Sequence, residues 1–193
     1  MIYVSIDTET TSLTPGNGQI IQFGAIIEDT DKKLPYDEIP KFEVLLEHTN
    51  YIGEPFPLQM HQALFKRLAD VQHKTPEEKE KAGVIPAAEL AERFALFLSM
   101  NGVDPSKAIN VAGKNFGTFD WPFLIRLSQW KQTIKMSQRI LDPAILFWDP
   151  AKDKRLPNLE ECKTRMCLPT TTVAHTCLPD AWDVIELLRT KYL

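Results

Sequence analysis

Tyr3-Val4-Ser5-Ile6-Asp7-Thr8-Glu9-Thr10-Thr11 reads as a β-strand that ends on two acids. Ile2, Val4 and Ile6 alternate with Tyr3, Ser5 and Asp7, the period-2 pattern of a strand with one face buried. Asp7 and Glu9 are two residues apart. In an extended chain such residues leave the strand on the same side, roughly 6.5–7 Å apart. Two carboxylates so placed repel each other unless something positive lies between them, and hard oxygen donors suit magnesium or manganese. A solvated acidic turn after an ordinary edge strand explains the pair equally well in isolation, so the rest of the chain has to decide.

Outward from that strand, Ser12 to Gly18 is rich in turn residues and predicts a tight reversal. Gln19 to Glu28 is a second strand, antiparallel to the first because the connection is short. Asp29 to Pro40 is a charged, exposed connection, and Lys41 to His48 a third strand. Leu58 to Val71 carries apolar residues at helical spacing. Thr75-Pro76-Glu77-Glu78 is a helix start, with Thr as cap, Pro at the first position and acids in the first turn. Pro86 to Met100 is the clearest amphipathic helix, closed by Asn101-Gly102. Ala108 to Ala112 is a buried strand, Thr118 to Lys131 a helix, and Arg139 to Asp142 a fifth strand. Pro143 to Trp148 is a helical turn and Asn158 to Cys167 a short helix. Pro179 to Leu193 closes the chain as a helix with Ala181, Val184, Ile185 and Leu188 as its apolar stripe. Three strands, then helices interleaved with further strands, predict an α/β mixed sheet with helices packed on it.

The 193 residues are 44% hydrophobic and 25% charged, which suits one domain over 1–193 with a sizeable core. A formal net charge of -4 leaves no broad basic field for a polyanion, so any hold on nucleic acid must be local. Cys162, Cys167 and Cys177 are odd in number and form no CxxC pair, which predicts reduced thiols. The absence of a leader pattern and of a membrane-length apolar run makes the cytoplasm the default expectation and excludes a membrane partner.

Two further acidic positions stand beside helix starts. Asp120 follows Gly113-Lys114-Asn115-Phe116-Gly117-Thr118-Phe119, between a strand and a helix. Asp180 follows His175-Thr176-Cys177-Leu178-Pro179 in the first turn of the last helix. Acids favour first turns because of the helix dipole, so each alone is explained by stabilisation. Asp183, one turn on, is a competing candidate for the same reason.

Together these residues resemble the DEDD exonucleases of the ribonuclease H-like superfamily, in the branch that bears a histidine. Asp7-Thr8-Glu9-Thr10-Thr11-Ser12-Leu13 resembles the first motif. Asn115 to Asp120, with Phe123-Leu124, resembles the second. His175 to Asp180, followed by Ala181, resembles the third. The motifs arrive in family order from residue 2 to about 185, and three weak motifs in one order are far more specific than any one. Ser12 departs from the usual Gly, Gln22 from a frequent Glu, and Cys177 from a common Ala. Met60-His61-Gln62 resembles a substrate-contacting His-Gly segment only loosely, and no role is carried onto His61.

The resemblance implies a ribonuclease H-like mixed five-stranded sheet, three antiparallel strands followed by parallel ones. It implies two divalent ions, Mg2+ or Mn2+, held by Asp7, Glu9, Asp120 and Asp180. Asp7 would bridge the two, Glu9 and Asp180 would complete one site, and Asp120 would serve the other. His175 would be the general base, its ordinary pKa lying near neutrality. Thr8, Thr10, Leu13, Asn115 and Phe119 would contact substrate, a single-stranded DNA or RNA 3′ end. DNA against RNA, the pathway and the oligomeric state, a homodimer included, stay open. Two other readings compete. One is an inactive or accessory nucleic-acid-binding module of the same fold, against which four phosphate-repelling acids argue. The other is a phosphotransferase with Asp7 as nucleophile, which would want a second Asp where Glu9 stands.

Overall fold

The computed structural model describes residues 1–169 and 176–192. Six strands form one sheet: β1 (Ile2–Thr10), β2 (Ile20–Asp29), β3 (Lys41–Glu47), β4 (Val84–Pro86), β5 (Ile109–Ala112) and β6 (Met136–Leu141), in the order β4-β3-β2-β1-β5-β6. β2 runs antiparallel to both β1 and β3, and β4, β5 and β6 each join in parallel. The mixed α/β sheet expected of a ribonuclease H-like fold is therefore present. It carries one strand more than the five expected, because the three-residue β4 is too short to show a period.

The helices are α1 (Pro55–Met60), α2 (Gln62–Val71), α3 (Pro76–Lys81), α4 (Leu90–Met100), α5 (Asp120–Leu124), α6 (Trp130–Thr133), α7 (Ala144–Phe147), α8 (Leu159–Arg165) and α9 (Cys177–Arg189). Thr75 caps α3 and Asn158 caps α8, each in a reciprocal box with a glutamate three residues on. The helix expected from Pro86 begins instead with β4 and a 3-10 turn over Ala87–Glu89. Pro86 has no N–H to give a ladder, so it suits the last residue of an edge strand. The helix expected over 118–131 is two pieces, broken where Gln129 takes φ 60°.

Both faces of β1 are covered, not one. Val4 and Ile6 enter the larger core, where Phe23, Phe94 and Trp130 pack ring on ring at centroid distances of 4.9–5.8 Å. Tyr3 faces the other way, into a second cluster with Ala181, Val184, Ile185 and Leu188 of α9. Polar residues on that face are tolerated because they are paired. Ser5 donates to the Ala181 carbonyl at 2.8 Å. The Tyr3 and Tyr192 hydroxyls lie 3.0 Å apart. Buried Glu28 accepts two hydrogen bonds from Arg189, at 3.1 and 2.7 Å. These contacts pin α9 along the sheet from its C-terminal end to its middle, which fixes where its N-terminal turn must fall.

Candidate active site

The site forms where β1 outruns its neighbour. β5 pairs with β1 only at Val4 and Ser5 and ends at Ala112. From Asp7 onward β1 has β2 alone beside it. The β1–β2 register also slips between Glu9 and Thr10, and such bulges re-aim side chains at sheet margins. Asp7 and Glu9 share a face with Tyr3 and Ser5, the face that α9 covers.

Opposite Asp7 in the ladder stands Gly24. A Cβ there would lie 2.4 Å from the Cys177 Cβ and 3.0 Å from its carbonyl carbon. The missing side chain lets the first turn of α9 rest directly on the sheet. Thr176, at the N-cap, makes no side-chain cap bond. The sheet supplies the cap instead. The Cys177 N–H donates to Gln22 Oε1 at 3.4 Å, Gln22 Nε2 donates to Glu43 Oε1 at 3.0 Å, and Glu43 accepts from the Leu178 N–H. Gln22→Ala is accordingly expected to loosen the α9 turn and weaken Mn2+ binding by about 10–100-fold, as read by titration calorimetry, with Gln22→Glu restoring little because it faces Glu43.

Asp120 arrives from the opposite face of the sheet. α5 carries it there, anchored by Phe123 and Leu124 in the larger core. Its Oδ1 accepts the Thr8 hydroxyl at 2.7 Å, and the residue is 2% exposed. Asp180, half-buried in the first turn of α9, is close enough to raise the pKa of both Asp7 and Glu9. Thus Asp7, Glu9, Asp120 and Asp180 meet at one strand end.

Their electrostatics show the cost of that meeting. Burial first, then the charges of Asp120, Glu9 and Asp180, hold the Asp7 carboxyl well above its ordinary range. Glu9 is pushed up to about 8, by burial and then by Asp180 and Asp120. Asp120 is raised by burial to about 7, against the pull of the Thr8 hydroxyl. Among the described residues, no lysine or arginine contributes to these three shifts. The donor set, hard oxygens converging on one strand end, fits divalent cations such as Mg2+ or Mn2+. A raised carboxyl pKa means the folded state holds protons more tightly than the unfolded one. Its contribution to stability is full below about pH 4 and is lost as pH rises through the folded values of about 7 and 8. In chelator, thermal stability should therefore fall between about pH 5 and pH 8.5, and the rise produced by added Mn2+ should grow over the same interval. A metal-induced rise that shrinks with pH would contradict this account.

The other expected residues fall as follows. His175 lies outside the described residues. Thr10 is buried and donates to the Ser12 carbonyl at 2.8 Å. Leu13 is 74% exposed. Asn115 is exposed, takes φ 57°, and accepts from Lys114 Nζ at 2.6 Å. Phe119 is half-buried against Phe123, at 5.5 Å between centroids. Asp183 is bound elsewhere, to Lys163 Nζ at 2.6 Å. Ser12 takes an ordinary φ, so a glycine is not needed there, and its hydroxyl accepts the Thr14 N–H at 2.9 Å.

Two residues gain a place that the sequence did not assign. The His61 ring, 3% exposed, sets Nε2 3.4 Å from Glu9 Oε2. The buried Cys177 thiol lies close enough to Asp7 to lower its pKa, and its Sγ is within 4.8 Å of a carboxylate oxygen of both Asp7 and Glu9. The sequence marked Cys177 only as a departure within the third motif and His61 only by a loose resemblance to a substrate-contacting segment, and neither signal placed it against Asp7 or Glu9.

No protein-family model and no curated relative matches the chain. Solved structures do. Cell-death related nuclease 4 superposes with a TM-score of 0.64 over 98% of this chain at 16% identity. E. coli exonuclease I with a dT13 oligonucleotide gives 0.61 over 98% at 16% identity. The fold is that of the ribonuclease H-like exonucleases. A zinc-bound form of the E. coli exonuclease I–single-stranded DNA complex has the same TM-score of 0.61. The chain spans 62% of cell-death related nuclease 4 and about two-fifths of exonuclease I. No helix among the described residues is long and apolar enough to cross a membrane.

Proposed function

We propose that the chain is a metal-dependent 3′–5′ exonuclease that releases nucleoside 5′-monophosphates from the 3′ ends of single-stranded DNA or RNA. The reading is carried by Asp7, Glu9, Asp120 and Asp180, four acids from three distant segments whose charges push up the Asp7 and Glu9 carboxyls at one strand end. Such mutual repulsion would be a poor way to build a purely structural strand end. The two ions such a set accommodates would supply charge relief at the phosphate, an activated water and help for the leaving 3′ oxygen.

The chain's own residues then divide the remaining work. Asp7, whose carboxyl feels the charges of all three other acids, would be the shared ligand. Thr8 holds the Asp120 carboxylate by the hydrogen bond from its hydroxyl. Gln22 and Glu43 hold the turn that carries Asp180. His175 would take the proton of the attacking water, a role suited to an imidazole, whose ordinary pKa lies near neutrality.

An apolar rim beside this strand end suits unpaired bases. Leu13 is 74% exposed, Ile52 62%, Phe56 73% and Met60 41%. Ile52 and Glu54 are fastened to Thr11, two residues beyond Glu9, through the Ile52 carbonyl and the Glu54 N–H. Exposed apolar side chains grouped at a site mark a binding surface, and stacking on bases is tolerant of sequence. The solved single-stranded DNA complexes of exonuclease I support the same class of substrate.

The test is a 5′-labelled against a 3′-labelled oligonucleotide, DNA and RNA in parallel, with Mn2+ or with chelator. A ladder shortening one nucleotide at a time from the 3′ end, abolished by chelator, is expected. Binding without cleavage in Mn2+ would favour an accessory module, and turnover of a small phosphomonoester alone would favour phosphotransfer.

A further inference from the structure

We infer that Asp7, Glu9 and Cys177 form a mixed thiolate–carboxylate site for a single thiophilic divalent ion, zinc or its like, within the proposed hard-metal centre. This deepens the reading above and rests on it only for the consequence drawn for activity. One carboxylate oxygen from each acid and the Cys177 Sγ all lie within 4.8 Å of one another. Zinc bonds of about 2.0–2.2 Å to oxygen and about 2.3 Å to sulfur bring such donors together after only a small inward movement.

The placement is built, not incidental. Cys177 is fully buried, with its Sγ beside the carboxylates of Asp7 and Glu9. The open Cβ space at Gly24 seats Cys177 against the strand opposite Asp7. Gln22 fixes the Cys177 backbone from the other side.

Three protein donors leave a fourth tetrahedral position free. A soft thiolate selects zinc over magnesium or manganese, and zinc also stands above manganese in intrinsic affinity. On binding, the S–H bond breaks, the sulfur–metal bond forms, and the proton leaves to water. The ion stays divalent. An ion so held engages Asp7 and Glu9 together, which takes both away from a magnesium or manganese pair. Zinc is therefore an antagonist of the hard ions, in a chain whose other donors all favour them.

Cobalt(II) titrated into the metal-free protein is the direct probe, since a thiolate ligand gives a near-ultraviolet charge-transfer band that oxygen ligands do not. The band should appear at one equivalent and vanish in both Cys177→Ala and Cys177→Ser. Zinc affinity by competition should fall by at least about tenfold in both, while Mn2+ affinity changes little. No band, or a band that survives both substitutions and so belongs to Cys162 or Cys167, would overturn the site. The readout requires no turnover. A band with no nuclease activity leaves the site standing and sinks the function, and nuclease activity without the band does the reverse.

Discussion

Asp7→Asn should make the metal-free protein more stable while removing its nuclease activity. The two effects have one cause. Asp7 is crowded by Asp120, Glu9 and Asp180 and is partly withdrawn from solvent, so in its ionised form it opposes folding. The amide keeps the shape and loses the charge. At about pH 8 the gain should be roughly 1–3 kcal/mol, the scale set by one to two pKa units of relieved interaction. Activity should drop by on the order of a thousandfold or more, because the shared ligand of the proposed ions is lost. The thermal rise with Mn2+ should largely disappear as well. Thermal unfolding in chelator and in Mn2+, beside an oligonucleotide assay, measures all three. A variant less stable than the parent in chelator would mean that Asp7 is a structural hydrogen-bonding group, and the metal account would fall with it.

The same crowding explains what could be read from the linear sequence. Asp7 and Glu9 were legible because a strand has period two, which puts them on one side without any tertiary knowledge. Asp120 and Asp180 looked like ordinary first-turn acids, and Asp183, a first-turn acid too, ranked below Asp180. What separates them is packing. Ser5 and Gln22 hold α9 so that its first turn overhangs Asp7, while Asp183, three residues on, swings to Lys163 on α8. A helix turns about 100° per residue, so three positions along it can exchange an acid that faces Asp7 and Glu9 for one bound to a lysine. Strand β4 escaped notice because three residues show no alternation, and the break at Gln129 because a positive φ in a non-glycine residue leaves no compositional mark. His61 reaches Glu9 only through the fold of the 51–61 segment onto Thr11. Such long-range contacts lie beyond any local pattern.

Gly24→Ala should be the most damaging single change at a residue with no chemistry of its own. The new methyl would meet the Cys177 Cβ at 2.4 Å, its carbonyl carbon at 3.0 Å and the Leu178 nitrogen at 3.1 Å. Two of these three atoms are backbone, so a side-chain rotation cannot relieve the contact, and α9 must lift. The N-terminal turn is the part that yields, because further along the helix Ala181 is held by Ser5 and Arg189 by Glu28. That tilts Asp180 away from Asp7 and Glu9. Overpacking of this kind costs about 1–3 kcal/mol, and a displacement near 1 Å at a reacting centre can cost about a hundredfold in rate. Stability and activity should therefore fall together, in contrast to Asp7→Asn, where they part. The double variant Gly24→Ala with Cys177→Gly removes the tightest contact, between the two Cβ atoms, and keeps the two backbone ones. It should recover part of the Mn2+-dependent thermal rise despite a glycine in the first helical turn. A Gly24→Ala protein with full activity would show that α9 does not set the position of Asp180.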